Sequence, residues 1–302
     1  MTLSLHAFRD DAPEALRLAN ALKVQLALID VHRFPDGEIA PRVSATRPTA
    51  IVYRSLHAPN GKLIELLLSA DALRRNGATR LVLIAPYLPY MRQDAVFRQG
   101  EPISQRVIAQ LLGVAFDRII TVDPHLHRTP SLGELFPTCK TTRLFGADAL
   151  ISHLSTRPLP VNTLVVGPDV ESGPLVRRIA EKLGFEHATL TKQRQGDARV
   201  EIRMPDMPPT EGRPVLLVDD ICSTGGTLCA AASLLKALHA GPITVFVTHL
   251  LGGAPVVGQL LQAGAASVIS TDACGGATGI VHLAGLLAGA LEGSETLTAD
   301  QA

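Results

Sequence analysis

The chain has no tryptophan, and aromatic side chains make up only 4% of its 302 residues. Its cores must therefore be aliphatic. Net charge is absent too, with 28 Lys and Arg against 28 Asp and Glu. That balance argues against a broad electrostatic footprint for nucleic acid, while leaving room for local basic clusters around a small phosphorylated substrate. Cysteine is scarce: Cys139, Cys222, Cys229 and Cys274 form no C-x-x-C pair. Such spacing speaks against zinc and for free thiols in a reducing compartment. The first ten residues lack a basic stretch leading into an apolar core, so no signal peptide is expected. Charges or glycines interrupt each long apolar run before it reaches membrane-spanning length. Walker A, G-x-S-x-G and H-E-x-x-H patterns are missing, which excludes a nucleotide site of the P-loop kind. The expectation is a soluble cytoplasmic protein with no nucleic-acid or membrane partner.

What is present is a regular alternation. Apolar runs at 50–53, 81–84, 119–122, 164–166, 187–190, 215–218, 243–247 and 266–269 read as strands. Between them, amphipathic stretches at 62–76, 104–113 and 173–183 read as helices, with a terminal helix at 281–291. This rhythm predicts an α/β architecture of mainly parallel sheets covered by helices. The length suggests two domains. Ser155-Thr156-Arg157-Pro158-Leu159-Pro160 reads as their connection. The expected division is 1–148 and 149–291, with a disordered tail at 292–302.

Residues 215–228, Val-Leu-Leu-Val-Asp-Asp-Ile-Cys-Ser-Thr-Gly-Gly-Thr-Leu, carry the most chemistry. A buried strand ends in Asp219 and Asp220, and Ser223, Thr224, Gly225, Gly226 and Thr227 turn into a helix. Glycines let backbone N–H groups approach an anion, and the helix dipole favours it. Paired carboxylates accept from vicinal hydroxyls. A phosphate and a diol held together describe a ribose 5-phosphate. An ordinary capped turn is the weaker reading, because paired acids at a strand end are costly unless something uses them.

Four other segments read two ways. Arg33-Phe34-Pro35-Asp36-Gly37-Glu38 is on residue types alone a solvated turn; functionally, Phe34 stacks on a base and Asp36 accepts from an exocyclic amine. Arg92 and Gln93 follow a strand within a proline-stiffened segment, where they are either solvated or presented to a polyphosphate. His125, in Asp123-Pro124-His125, is structural or, with Asp169 at another strand end, a ligand of a hard cation. His127 and Arg128 are rival candidates there. Lys192-Gln193-Arg194 opens either an exposed hairpin or a basic flap that stabilises charge in phosphoryl transfer.

The Asp-Asp loop resembles that of the type I phosphoribosyltransferase fold. In the order Phe-Pro-Asp-Gly-Glu (34–38), Pro-Asn-Gly-Lys-Leu-Ile-Glu-Leu-Leu-Leu (59–68), Arg-Gln-Asp (92–94), Gly-Glu-Pro-Ile-Ser (100–104), Asp-Pro-His (123–125), Gly-Pro-Asp (167–169), Lys-x-Arg (192–194) and Asp-Asp (219–220), the chain resembles the ribose-phosphate pyrophosphokinase family, with spacing most like its archaeal-type branch. That resemblance implies two tandem phosphoribosyltransferase-like domains, the first with ATP-binding segments, the second with the sugar-phosphate loop and flap. It implies transfer of the ATP diphosphoryl group to the C1 hydroxyl of ribose 5-phosphate, with Mg²⁺. By motif, Phe34, Asp36, Gly37, Glu38, Arg92, Gln93 and Asp94 would bind ATP, and His125 and Asp169 would hold the metal. Lys192 and Arg194 would be catalytic, and Arg194, Asp219, Asp220 and Ser223 to Thr227 would bind ribose 5-phosphate. A homo-oligomer with sites shared at a dimer interface is also implied.

The chain departs from that pattern in three places. Gly167-Pro168-Asp169-Val170-Glu171-Ser172 stands where many relatives have Ser-Pro-Asp-Ala-Gly-Gly. Ser223 stands where many carry Asp, and Thr271 to Gly276 lack the usual Ile-Pro-His, so allosteric control is not implied. Two competing functions share the Asp-Asp loop or the whole pattern: a phosphoribosyltransferase that consumes the product, and a non-catalytic regulatory subunit.

Overall fold

The computed structural model describes residues 3–126, 128–195, 199–203 and 207–292, with backbone alone at 192–195 and 199–203. His127, residues 196–198 and 204–206, and those after Glu292 lie outside the described residues. Two compact units divide the chain: Met1–Phe145 with Leu283–Ala302, and Gly146–His282.

The first unit runs β1 (Leu3–Phe8), α1 (Ala12–Leu22), β2 (Leu26–Arg33), β3 (Ile39–Arg42), β4 (Thr49–Tyr53), α2 (Pro59–Arg75), β5 (Arg80–Ile84), α3 (Ser104–Ala115), β6 (Arg118–Val122), α4 (Leu132–Leu135) and β7 (Lys140–Leu144). Its seven strands lie in the order β3-β2-β1-β4-β5-β6-β7. All pairs are parallel except β2 with β3, an antiparallel hairpin edge. Strands β4, β5 and β6 are almost wholly apolar because both faces are covered. Helix α2 starts three residues earlier than its apolar spacing suggests. Pro59 occupies its first turn, where a missing N–H is harmless, and Arg74 and Arg75 complement its C-terminal dipole.

The second unit runs α5 (Gly146–Thr156), β8 (Leu164–Gly167), α6 (Gly173–Leu183), β9 (Glu186–Thr189), β10 (Thr191–Gln195), β11 (Arg199–Arg203), β12 (Val215–Cys222), α7 (Gly226–Ala237), β13 (Ile243–Leu250), α8 (Gly253–Gln262) and β14 (Ser267–Ser270). Its parallel sheet has the order β14-β13-β12-β8-β9, and β10 and β11 form a separate antiparallel ribbon. Helix α6 stops at Gly184, whose left-handed φ of 71° suits glycine. The core gathers Leu164, Val166, Val215, Leu217, Val245 and Val247 with Leu228 and Leu235 of α7. Each such burial contributes about 1.5–3 kcal/mol.

The last helix, α9 (Ala284–Glu292), groups with the first unit, although its place in the sequence put it in the second domain. Its apolar residues pack on α1, and the Ala290 carbonyl accepts from Arg118 Nη2 at 3.1 Å. No described helix is long and apolar enough to cross a membrane.

In the first unit the sheet order reverses between β1 and β4, leaving a crevice at their C-terminal ends. Arg54 fills it. This side chain is 2% exposed and donates to Asp11 at 2.7 Å, to Asp10 and to Glu65. Its guanidinium also lies 4.1 Å from the Phe8 ring centroid. Burial pushes the Asp11 carboxyl up to about 6, despite the attraction of Arg54. At more exposed Asp10 burial acts the same way, but the bonds and charge of Arg54 outweigh it and hold the carboxyl below its ordinary range.

Arg54→Met would leave three carboxylates crowded without their cation. Losing one partner of a buried ion cluster costs roughly 3–5 kcal/mol. Thermal unfolding at pH 7 should show Tm lower by at least about 6 °C. A fall under about 2 °C would contradict the cluster's role in stability.

Candidate functional site

The second unit's switch point is built differently. Strand β12 pairs with β8 only as far as Leu217, opposite Val166, but stays on β13 through Cys222. Asp219 and Asp220 therefore remain on an extended strand and overhang the gap that β8 leaves, rather than beginning a loop. Both are half-buried. Asp219 Oδ1 accepts the Asp220 N–H at 3.0 Å. Burial, then the charges of Asp220 and of Asp169 beyond the end of β8, push the Asp219 carboxyl up to about 8. Such crowding favours the protonated acid until a hydroxyl donor or cation arrives.

Beyond Cys222 the chain folds into a tight arch. The N–H of Leu251 donates to the Cys222 carbonyl at 2.8 Å. Gly225 sits at φ 79° as the residue before α7, and a Cβ there would stand 2.8 Å from Val256 Cγ1. Gly252 is equally constrained, because its Cβ would lie 2.3 Å from the Ser223 carbonyl oxygen. Ser223, Thr224 and Gly226 are exposed, so the arch opens outward with the α7 N–H groups beneath it. This arrangement is able to hold an anion beside carboxylates that can accept from hydroxyls.

The Gly167–Ser172 departure is self-consistent. A Cβ on residue 167 would lie 2.1 Å from Ser172 Oγ, so glycine at 167 makes room for serine at 172. Ser172 Oγ donates to the Asp169 carbonyl at 2.6 Å, and the Asp169 carboxylate accepts the Glu171 N–H at 3.2 Å. Asp169 is thus held at the crevice mouth by its own turn.

The flap residues Lys192 and Arg194 lie on β10, paired with Ile202 and Val200 of β11. Their side chains are outside the described residues. Among the described residues no three His, Cys, Asp or Glu side chains converge to hold a metal ion unaided.

In the first unit, the β2–β3 turn carries Phe34, Asp36, Gly37 and Glu38. The Phe34 N–H donates to the Glu38 carbonyl at 2.8 Å, the Glu38 N–H to Asp36 Oδ1 at 3.1 Å, and Gly37 takes φ 94°. Phe34 remains 43% exposed, with the His32 ring edge-on at 4.6 Å. Arg92 and Gln93 are exposed beyond β5. The backbone of Gln93 is fixed on both sides, its N–H to Tyr90 and its carbonyl to the Gln105 N–H at 3.1 Å. Asp94 behaves otherwise: its side chain is 2% exposed and accepts from Arg128 Nη1 at 2.9 Å. It braces the segment rather than facing out. A polar cleft of about 370 Å³ lies between Asp94, Gln105, Arg128 and Glu134. His125 is half-buried beyond β6, after Asp123 in a left-handed turn with φ 36°.

The sequence marked Arg33 only as the start of the 33–38 segment and assigned no role to Gln105 or Glu65. Gln105 is 2% exposed, donates to the Met91 carbonyl and accepts from Thr129. A polar residue on the inward face of a helix was the signal available for it and for Glu65.

Residues 4–115 match the profile of the N-terminal domain of ribose phosphate pyrophosphokinase, and residues 153–261 that of the phosphoribosyl transferase domain. A ribose-phosphate pyrophosphokinase of Methanopyrus kandleri is 36% identical over 85% of this chain and 87% of its own length. One from Pyrococcus abyssi is 37% identical over 73% and 75%. The crystal structure of phosphoribosylpyrophosphate synthetase from Mycobacterium smegmatis superposes with a TM-score of 0.82 at 30% identity, covering 97% of this chain and 98% of that one. With two tandem phosphoribosyltransferase-type units, and likeness along nearly its full length to enzymes of one name, the chain belongs to the ribose-phosphate pyrophosphokinase family.

Proposed function

We propose that the chain transfers the diphosphoryl group of ATP to the C1 hydroxyl of ribose 5-phosphate, releasing AMP and 5-phosphoribosyl 1-diphosphate. The observation that carries this reading is the overhang of Asp219 and Asp220 beside the outward-opening 223–227 arch, in a chain of this family. The arch N–H groups and the hydroxyls of Ser223, Thr224 and Thr227 take the 5-phosphate. The two aspartates accept from the vicinal ribose hydroxyls, which relieves their mutual repulsion and orients the anomeric oxygen. That oxygen attacks the β-phosphorus of ATP, an O–P bond forms as the bond to the α-phosphate bridge breaks, and AMP leaves. Catalysis is then mostly positioning and charge neutralisation.

Lys192 and Arg194 supply cations to the charge developing on the transferred group. Phe34 stacks on the adenine, with Asp36, Gly37 and Glu38 around it, in the site of a neighbouring subunit of a homo-oligomer. Arg92 and Gln93 contact the ATP phosphates, and Asp94 supports them. The half-buried carboxylates around Asp169 are hard oxygen donors under mutual repulsion, a set that fits Mg²⁺ drawing the rest of its shell from water and phosphates. Asp169 and His125 would hold it, and when bound it would neutralise the phosphate oxygens. Substrates of this kind place the enzyme in the cytoplasm.

The direct test is product identity. Purified protein given ATP, Mg²⁺ and ribose 5-phosphate should yield AMP in step with the diphosphorylated sugar. ADP formation, or no AMP, would contradict the reading. Lys192→Ala should lower turnover at least about a hundredfold, through lost stabilisation of transition-state charge, with Tm unchanged; near-normal turnover would remove the flap from the mechanism.

Asp219 gives a prediction of opposite sign for stability. Its folded-state pKa of about 8 lies above the ordinary aspartate value of 3.8. The folded state therefore binds the extra proton between those limits, and stability falls as pH rises from about 4 to about 8. Asp219→Asn should raise the Tm of the ligand-free protein at pH 8 by about 2 °C or more, should raise it less at pH 5, and should weaken ribose 5-phosphate binding. An equal Tm difference at the two pH values would count against the crowded carboxylates.

A further inference from the structure

Between the Arg54 cluster and the β2–β3 turn runs a short line of charge. Glu65, on α2, has a side chain only 8% exposed, with each of its oxygens on a different guanidinium. Oε2 accepts from buried Arg54. Oε1 accepts from Arg33 Nη2 at 2.5 Å. Arg54 in turn is fixed by Asp10 and Asp11 at the end of β1. Glu65 is thus clamped from the sheet side, and its free choice of position is gone before Arg33 reaches it.

Arg33 is the last residue of β2, paired with Ile39 at the start of β3. It immediately precedes Phe34. The turn it roots is closed on itself, by Phe34 N–H to the Glu38 carbonyl and Gly37 N–H to the Phe34 carbonyl at 3.0 Å. A closed turn moves as one piece, and its orientation is set at its root. Strand β3 packs against α2, the helix that carries Glu65. Among the described strands, antiparallel β3 pairs with β2 alone, so that edge has no second strand to fix it. The 67% exposure of the Arg33 side chain makes its ion pair a poor source of global stability. Its geometric consequence is larger: a buried, doubly held carboxylate fixes where the edge turn projects.

We propose that Glu65, acting through Arg33, sets the orientation of the 34–38 turn, making both residues positioning residues for the adenine end of ATP. This rests on the reading that the turn contacts ATP. In the absence of the anchor the turn samples other orientations, and the entropy lost on fixing it is charged to ATP binding. The consequence falls on the KM for ATP, and leaves the sugar site and the chemical step alone.

Steady-state kinetics on the full-length protein separate the possibilities, with Arg33→Ala, Arg33→Lys, Phe34→Ala and the double variant Arg33→Ala/Phe34→Ala. Arg33→Ala should raise the KM for ATP about three- to tenfold, with kcat and the KM for ribose 5-phosphate within about twofold and an unchanged Tm. Arg33→Lys, which keeps one donor toward Glu65, should recover part of that loss. Because Arg33 acts through the turn, Arg33→Ala should add little once Phe34 is already Ala. Glu65→Gln should reproduce the Arg33→Ala kinetics; since it touches the buried cluster, the Arg33 variants stand on their own should it fold poorly. Unchanged ATP KM in Arg33→Ala, alongside a raised KM in Phe34→Ala, would overturn the positioning role and spare the ATP reading. Multiplying effects in the double variant would also overturn it, since Arg33 would then touch ATP itself. An unchanged KM in Phe34→Ala would remove the underlying reading instead.

Discussion

Like-charge crowding at the end of β12 organises the second unit. Asp219 and Asp220 are carried past the edge of β8 on a strand whose other side remains paired, and Asp169 faces them from the neighbouring strand end. Carboxylates so placed raise one another's pKa and destabilise the empty protein. On the proposed function, hydroxyl donors and a cation would relieve this crowding on binding. The arch at 223–227 places an anion next to them, and its geometry leaves no latitude: Gly225 and Gly252 admit no side chain. These two local facts are what support the proposed sugar-phosphate site.

The first unit shows the same topology with the opposite solution. Its order β6-β5-β4-β1-β2 repeats the order β14-β13-β12-β8-β9, and its crevice lies between β1 and β4 as the other lies between β8 and β12. Where the second unit carries Asp219 and Asp220 on β12 past its pairing with β8, the first has Arg54 and Ser55 just after β4. The Arg54 guanidinium satisfies Asp10, Asp11 and Glu65 from within. One crevice is neutralised by the protein itself and the other by what it binds. An internal counterion also frees the first unit for another task, since Glu65 extends the cluster to the root of the exposed turn.

Much of this was legible in residue order. Strands β4, β5, β6, β8, β12 and β13 are continuous apolar runs because both their faces are covered, so they announce themselves. Strand β7, Lys-Thr-Thr-Arg-Leu, is an edge strand with little apolar signal, and β2 mixes burial along its length. Neither pattern could be read as a strand from periodicity alone. The helix α9 misled by position, because chain order does not disclose that its apolar face belongs against α1. At the site, the loop glycines and paired acids carried their own signal. The burial of the Asp94 side chain against Arg128 did not: a carboxylate looks the same in sequence whether it meets a ligand or a guanidinium 34 residues away. Glu65 was hidden for that reason too, as one of several charged residues along α2.

The central claim is that a diol, and not only an anion, discharges the crowding at Asp219 and Asp220. Titration calorimetry at pH 7 without metal, repeated in buffers of different ionisation enthalpy, counts the protons released on binding. Ribose 5-phosphate, whose hydroxyls favour the ionised carboxylate, should release roughly one proton more than inorganic phosphate, which fills the arch alone. Equal proton counts for the two ligands would contradict the account.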